Sequence, residues 1–407
     1  MTKPTRSLAI LALFALGALV CCQGDEPEEL PPFVHADFYE TLQRDAAEFT
    51  LVNGQWLDDY GDAAFYGLAF YAWRAAESGD ATHAATRDAA HAYNLDVVHN
   101  ADLLTGDVNE IAMATLGLID YMAVTGDQSA RDDVNAVIDN IDVMLELVGY
   151  YVSTALIPGY AVETYGPTSI SGLVGLVNLQ HAHLVADSHR ADYIAWTQDL
   201  LEAIDENAWN GSHYDFGDDR PGLFLYPNVT MILLHVRLYQ LTGDPQYLAR
   251  AETLYDAIGD LRVVDDPGPG MVRYKSPYSA EYMGATTDDY STLSSQNYTL
   301  FALLLLYEVT GRKALMREYN AILEFLSTAI YGDWCRSDLS FAPCEPACTG
   351  ADVCLDGTCL EDHCSRGVLH HLMDGEVAVP EDPEFFCSGC NLQLLYVMMY
   401  RQRNITE

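Results

Sequence analysis

The segment Trp56-Leu57-Asp58-Asp59-Tyr60-Gly61-Asp62 gathers carboxylates just ahead of an apolar helical run, Ala63-Ala64-Phe65-Tyr66-Gly67-Leu68-Ala69. Acids held this close repel one another, which raises one pKa and leaves a protonated acid beside an ionised partner. Cleavage of a glycosidic bond uses that pair of states, an acid for the leaving oxygen and a base or nucleophile. A capping role competes at each position, with Asp62 as N-cap and Asp58 and Asp59 near the positive helix end. Glu110 opens a second helical run beside Asp107 and Asn109, and Asp288-Asp289-Tyr290 precedes Ser294-Ser295-Gln296-Asn297. Asp62 and Asp59 are the first candidates for a catalytic pair, with Glu110 or Asp289 as the substitute partner. Glu163 and the cluster His213-Tyr214-Asp215 with Asp218-Asp219-Arg220 read as solvated loop acids. That cluster lacks the ligand loop of a calcium site, and no metal or cofactor is expected.

Aromatic rings fall in the same segments: Trp56, Tyr60, Tyr165, Trp209, Tyr226 and Tyr290. Flat rings suit stacking on sugar faces, with Asn228, Arg273 and Asn297 as polar contacts in a ligand site. Part of such a set can equally plug a core. The chain has no P-loop, dinucleotide fingerprint, nucleophile elbow or zincin helix.

These residues need elements to hold them. Apolar positions at i, i+3, i+4 and i+7 predict helices near 35–50, 62–78, 82–98, 107–125, 128–148, 168–186, 190–207, 227–242, 245–260, 291–310, 312–330 and 388–403. A punctuation mark recurs between them: Ser78-Gly79-Asp80, Thr125-Gly126-Asp127, Thr242-Gly243-Asp244 and Thr310-Gly311-Arg312. Glycine supplies a left-handed C-cap there, and aspartate caps the helix that follows. The segment Leu238-Tyr239-Gln240-Leu241-Thr242-Gly243 repeats as Leu306-Tyr307-Glu308-Val309-Thr310-Gly311. Recurring helical pairs mean stacked hairpins.

The helices at 107–125, 168–186, 227–242 and 291–310 are apolar nearly all round, whereas those at 82–98, 128–148, 190–207 and 245–260 carry acidic outer faces. A helix apolar all round is buried, and one with a polar stripe faces water. Alternating inner and outer helices, with the first pairing the last, describe an all-α (α/α)6 toroid of six hairpins. Its inner-to-outer turns are tight, while the connections 51–61, 99–106, 149–167, 208–226, 261–290 and 331–387 are long. Long connections in a compact domain are usually functional or disordered, and these are rich in Tyr, Trp, Asp and Asn, so the end that carries them is the expected binding face.

Lys3 and Arg6 precede an apolar run from Leu8 to Val20 that is too short for a stable span, followed by Cys21-Cys22. Leu19-Val20-Cys21-Cys22 is similar to a bacterial lipobox with Cys22 as the lipidated residue. The competing reading is an ordinary secretory signal. The expected layout is a signal peptide over 1–21, an acidic, Pro-containing tether over 22–34, the toroid over 35–331, a Cys-rich insertion over 332–387 and a closing helix over 388–407.

Export suits the remaining cysteines, Cys335, Cys344, Cys348, Cys354, Cys359, Cys364, Cys387 and Cys390, whose even number argues for disulfides. Zinc is the rival, given Cys387-x2-Cys390 near His363, His370 and His371. The formal net charge is −40, and the only lysines are Lys3, Lys275 and Lys313. Such a surface repels nucleic acid and anionic membranes. It leaves a carbohydrate as the expected partner and a lipid as the expected membrane contact.

The run Asp62 to Ala69, closed by Ser78-Gly79-Asp80, resembles the helix of six-hairpin glycosidases that begins with an acid and ends at a Gly-Asp turn. Pro227-Asn228-Val229, leading to Leu238 through Leu248, is similar to another hairpin of that superfamily. The nearest family in flavour is that of the endo-α-1,6-mannanases. There two adjacent aspartates stand before an aromatic-aromatic-Gly/Ala-Leu-Ala helix and serve as nucleophile and acid/base. The resemblance covers roughly residues 35–330 at the level of architecture. Asp62 matches the second aspartate, Gly61 occupies the place of the first, and Asp59 lies three residues upstream. The resemblance implies an exported hydrolase of polysaccharide. A non-catalytic glycan- or protein-binding toroid, and a lyase or epimerase using Tyr and His of the same loops, are the alternatives.

Overall fold

The computed structural model describes residues 35–49, 51–52, 55–56, 63–101, 108–148, 166–185, 189–217, 221–265, 268–276, 290–335, 353–355, 358–360, 364–368, 371–373 and 387–405. Twelve α-helices lie among them: α1 (Ala36–Ala46), α2 (Ala63–Ser78), α3 (Ala81–His99), α4 (Val108–Thr125), α5 (Arg131–Val148), α6 (Pro167–Gln180), α7 (Arg190–Ala208), α8 (Leu225–Thr242), α9 (Pro245–Ile258), α10 (Leu293–Thr310), α11 (Lys313–Ala329) and α12 (Ser388–Asn404). Each predicted helix is present. The helix expected over 168–186 divides, because its last turn, His181–Val185, winds as a π-helix.

The even-numbered helices form a closed inner ring. Packing runs α2 to α4, α4 to α6, α6 to α8, α8 to α10, α10 to α12, and α12 back to α2. The odd-numbered helices pack outside, with α1 on α12, α3 on α2, α5 on α4, α7 on α6, α9 on α8 and α11 on α10. The chain's last described helix thus completes the hairpin begun by its first. The apolar faces explain the sorting. In α8 every residue from Pro227 to Leu238 is buried, while α9 buries only Tyr247, Ala251, Leu254 and Ile258 at helical spacing.

The repeated punctuation is a repeated geometry. Gly79, Gly126, Gly243 and Gly311 each adopt positive φ after an inner helix, and their N–H groups bond the carbonyls of Ala75, Met122, Tyr239 and Tyr307 at 2.8–3.1 Å. The preceding hydroxyl donates back into the same helix, as in Thr242 to the Leu238 carbonyl at 2.7 Å and Thr310 to that of Leu306 at 2.6 Å. Asp80 and Asp244 then cap α3 and α9 by accepting from the N–H groups of Thr82 and Gln246. The glycine N–H, the preceding hydroxyl and, at Asp80 and Asp244, the cap all bond within four residues, so the turns need no length.

The opposite end carries short antiparallel ribbons that helical periodicity does not signal. β1 (Leu51–Val52) pairs β2 (Gln55–Trp56), and β3 (Arg262–Val264) pairs β4 (Val272–Tyr274). β5 (Tyr290–Thr292), which leads into α10, pairs β10 (His371–Met373). β6 (Tyr331–Cys335) pairs β9 (Cys364–Val368), and β7 (Val353–Leu355) pairs β8 (Thr358–Leu360). The Cys-rich segment is therefore stitched into the toroid at β5 and β6. Cys335 stands opposite Cys364, and Cys354 opposite Cys359. Cys387 and Cys390 form a disulfide at the start of α12, which answers the zinc reading for that pair. Cys344, Cys348 and Cys22, the expected lipidation site, lie outside the described residues.

Candidate active site

All six inner helices begin at the ribbon-bearing end, and their first turns make the wall of its mouth. These turns are rich in small polar residues that are nonetheless buried, among them Thr168, Ser169, Asn228, Ser295 and Asn391. Buried polar groups are usually paired, and for Thr168, Asn228 and Asn391 the partners include backbone carbonyls. Thr168 donates to the Asp215 carbonyl at 2.9 Å, and Asn391 to that of Cys387 at 2.9 Å. Among the described first turns of the inner ring, the one acidic side chain is Glu110. It is half-buried, and Tyr93 on α3 donates its phenol to Glu110 Oε1 at 2.8 Å. A carboxylate oriented by a phenol at the start of an inner helix presents one defined oxygen for proton transfer.

Asp62 immediately precedes Ala63, the first residue of α2, and α2 packs directly against α4, which carries Glu110. Asp59, Asp62, Asp289, Tyr60 and Tyr165 themselves lie outside the described residues. Tyr290 is the first residue of β5 and pairs in register with Met373.

The structure gives the other predicted contacts structural work. Trp56 is buried and stacked on Tyr71 at 6.0 Å, with its ring pressed onto Gly67 of α2. Asn228 is fully buried; it donates to the Tyr214 and Phe224 carbonyls and accepts from the Tyr214 N–H, so it staples a loop to α8. Asn297 ties α10 to α12 through the Cys390 carbonyl at 2.7 Å and Gln393 at 3.1 Å. Arg273 is buried under the β3–β4 ribbon and bonds Ser291 at 3.1 Å. Trp209 is half-buried, with the Arg250 guanidinium over its ring at 3.8 Å. Tyr226 is half-buried and meets Tyr298 edge-on at 4.9 Å.

Below the mouth the axis is filled. Phe65, Tyr66, Leu116, Leu173, Tyr298 and Tyr396 surround a cavity of about 40 Å³, to which all six inner helices contribute. Tyr66 packs against both Tyr298 and Tyr396, so crossed rings floor the mouth. Deeper, toward the tight turns, Asp120 accepts from Gln180 at 2.9 Å and from the Tyr396 phenol at 2.8 Å. Burial raises the Asp120 pKa, and burial likewise raises that of Glu308, which accepts from Tyr400 at 3.1 Å. Sequence reasoning missed Tyr93, Tyr298 and Tyr396. Tyr93 sits on an outer helix, and the other two lie in helices whose uniform apolarity gives no facing signal.

Among the described residues no group of three or more His, Cys, Asp or Glu side chains is placed to hold a metal ion, and no helix is long and apolar enough to cross a membrane.

No family model and no curated protein matches this chain. Solved structures do. A GH76 α-mannanase of Bacteroides thetaiotaomicron superposes with a TM-score of 0.57 at 11% identity, covering 89% of this chain and 94% of that one. A D-mannose isomerase gives 0.60 at 11% identity, covering 93% and 100%. An unsaturated glucuronyl hydrolase specific for heparin gives 0.57 at 13% identity, covering 90% and 95%. At such identities the likeness speaks to architecture, and together with the closed inner ring it shows that this chain folds as a six-hairpin (α/α)6 toroid.

Proposed function

We propose that this protein is an exported, carbohydrate-active toroid that hydrolyses a glycosidic bond in its mouth. In this reading Asp62 and Glu110 form the acid pair, Glu110 taking the place first given to Asp59. One observation carries the reading: the single acidic first turn of the described inner ring, at Glu110, is on the helix adjacent to the one that Asp62 precedes. Similar folds that act on sugars support the substrate class. Tyr93 is assigned to orient Glu110. In the proposed chemistry one carboxyl group donates a proton to the leaving oxygen while its ionised partner attacks the anomeric carbon or activates water.

The test is release of new reducing ends across a panel of neutral and weakly charged polysaccharides. Asp62→Asn and Glu110→Gln should each lower kcat by about a hundredfold or more, the usual scale for removing a general acid or base. Full activity in Glu110→Gln would overturn this pairing. Retention of glycans in affinity electrophoresis, without any turnover, would favour the binding-protein reading instead. We further assign Cys22 as a lipid attachment site on the strength of its lipobox-like setting.

A further inference from the structure

On the outer wall of the ring, α7 and α9 part to leave a groove of about 550 Å³ with His235 of α8 at its floor. The groove is lined by Glu202, Asp205 and Glu206 from α7 and by Gln246, Tyr247 and Arg250 from α9. His235 is 2% exposed, and its Nδ1 has no hydrogen-bond partner. A buried nitrogen without a partner forfeits a hydrogen bond that water would have supplied, so a molecule that reaches it gains one.

The protonation pattern follows from the neighbours. The Tyr214 phenol donates to Asp205, because a carboxylate only accepts. Burial, then the adjacent Asp205 charge, keep that phenol protonated. The same phenol oxygen lies 3.0 Å from His235 Nε2 and 3.4 Å from Arg250 Nη1. With its own proton spent on Asp205, it accepts from both. His235 therefore carries its proton on Nε2, and burial, reinforced by Arg250, holds its pKa near 3. The ring is neutral, and Nδ1 is a bare acceptor.

The rest of the groove is predominantly acidic, three carboxylates against one guanidinium, with the Tyr247 hydroxyl keeping its proton to donate. Arg250 is occupied: it stacks on Trp209 at 3.8 Å and pairs with Asp205 at 3.5 Å. Tyr247 accepts from Gln198 at 2.8 Å. Glu202 and Glu206 add two negative charges to the same wall. The excess of carboxylates, with the bare His235 Nδ1, favours a ligand that brings donors and positive charge.

We propose that the α7–α9 groove binds a primary ammonium group, carried by an amino sugar or by a polyamine, with its N–H donors shared between His235 Nδ1 and the Glu202 and Glu206 carboxylates. The inference is independent of hydrolysis in the mouth.

Isothermal titration of the full chain tests it with three probes: a glucosamine tetramer, its fully N-acetylated counterpart, and spermidine. One-to-one binding of the glucosamine tetramer or of spermidine is expected, with no heat from the N-acetylated tetramer. Which of the two amines binds identifies the source. The Glu202→Gln/Glu206→Gln variant should weaken binding by about tenfold or more, the loss expected for charge-assisted hydrogen bonds. The control variant Asp132→Asn/Asp139→Asn removes equal charge from α5 and should leave affinity unchanged. Equal weakening in both variants would reduce the effect to general attraction by an acidic surface and overturn the proposal. So would binding of the N-acetylated tetramer as tightly as the free amine, or no binding of either amine. Because His235→Phe risks the core, the histidine is read by its ¹⁵N resonances, where ligand should shift Nδ1 and leave Nε2 protonated.

Discussion

Glycine 67 shows how one residue decides where an aromatic goes. An added Cβ there would sit 2.3 Å from two atoms of the Trp56 ring, well inside contact distance. Trp56 lies flat on α2 because position 67 has no side chain, so a tryptophan in an acidic loop becomes core. Gly67→Ala should displace the ring and cost about 1–3 kcal/mol, the range for overpacking a filled site. Thermal melts with Trp fluorescence would check it, and an unchanged Tm with an unchanged emission maximum would contradict this packing. The same logic explains which site residues could be read in advance. Glu110 could be singled out as a candidate from sequence because it is an acid opening an apolar helix, although the helix dipole also favours an acid there. Asn228 and Asn297 look equally suited to a ligand in sequence. Their role as staples depends on where the Tyr214 and Cys390 carbonyls arrive, and periodicity says nothing of that.

The elements were legible for a different reason. Twelve helices and their inner or outer station follow from how far the apolar face extends round each one, and the Thr-Gly-Asp marks fix their ends locally. The ribbons escaped because each strand has five residues or fewer and the β5–β10 pair joins segments about eighty residues apart. What helical periodicity also conceals is the polar belt inside the ring. Asp120 on α4, Gln180 on α6 and Tyr396 on α12 meet at 2.8–2.9 Å in the otherwise apolar axis. Burial raises the Asp120 pKa above its ordinary value. The folded protein thus keeps a proton there that the unfolded chain, titrating at about 3.9, has released. Stability from this group is greatest below that pH and declines as pH rises toward the folded-state value, then levels off. Asp120→Asn has no such titration. Its unfolding free energy relative to the native chain should climb across that window in urea melts. A difference that stays flat with pH would mean that Asp120 ionises in the fold as it does in water.

At the scale of the whole molecule, the net charge of −40 and the lipobox-like cysteine make a joint prediction. The cytoplasmic and outer surfaces of many membranes are themselves anionic, and such surfaces attract basic segments and repel acidic ones. This chain has three lysines, Lys3, Lys275 and Lys313, and its sequence carries no basic stripe to hold it electrostatically. The proposed attachment through an acyl chain at Cys22 would draw on about 0.8 kcal/mol per buried CH₂, working against charge repulsion. Salt screens that repulsion, with a Debye length of about 3 Å at 1 M. The acylated protein should therefore stay with sedimented membranes in 1 M salt, where a protein held by ion pairs would be released. Cys22→Ser should move it to the soluble fraction at every salt concentration while leaving the toroid folded. A Cys22→Ser protein that still sediments, or a native protein released by salt, would remove the anchor from this account and leave the charge as a general solubility or salt adaptation.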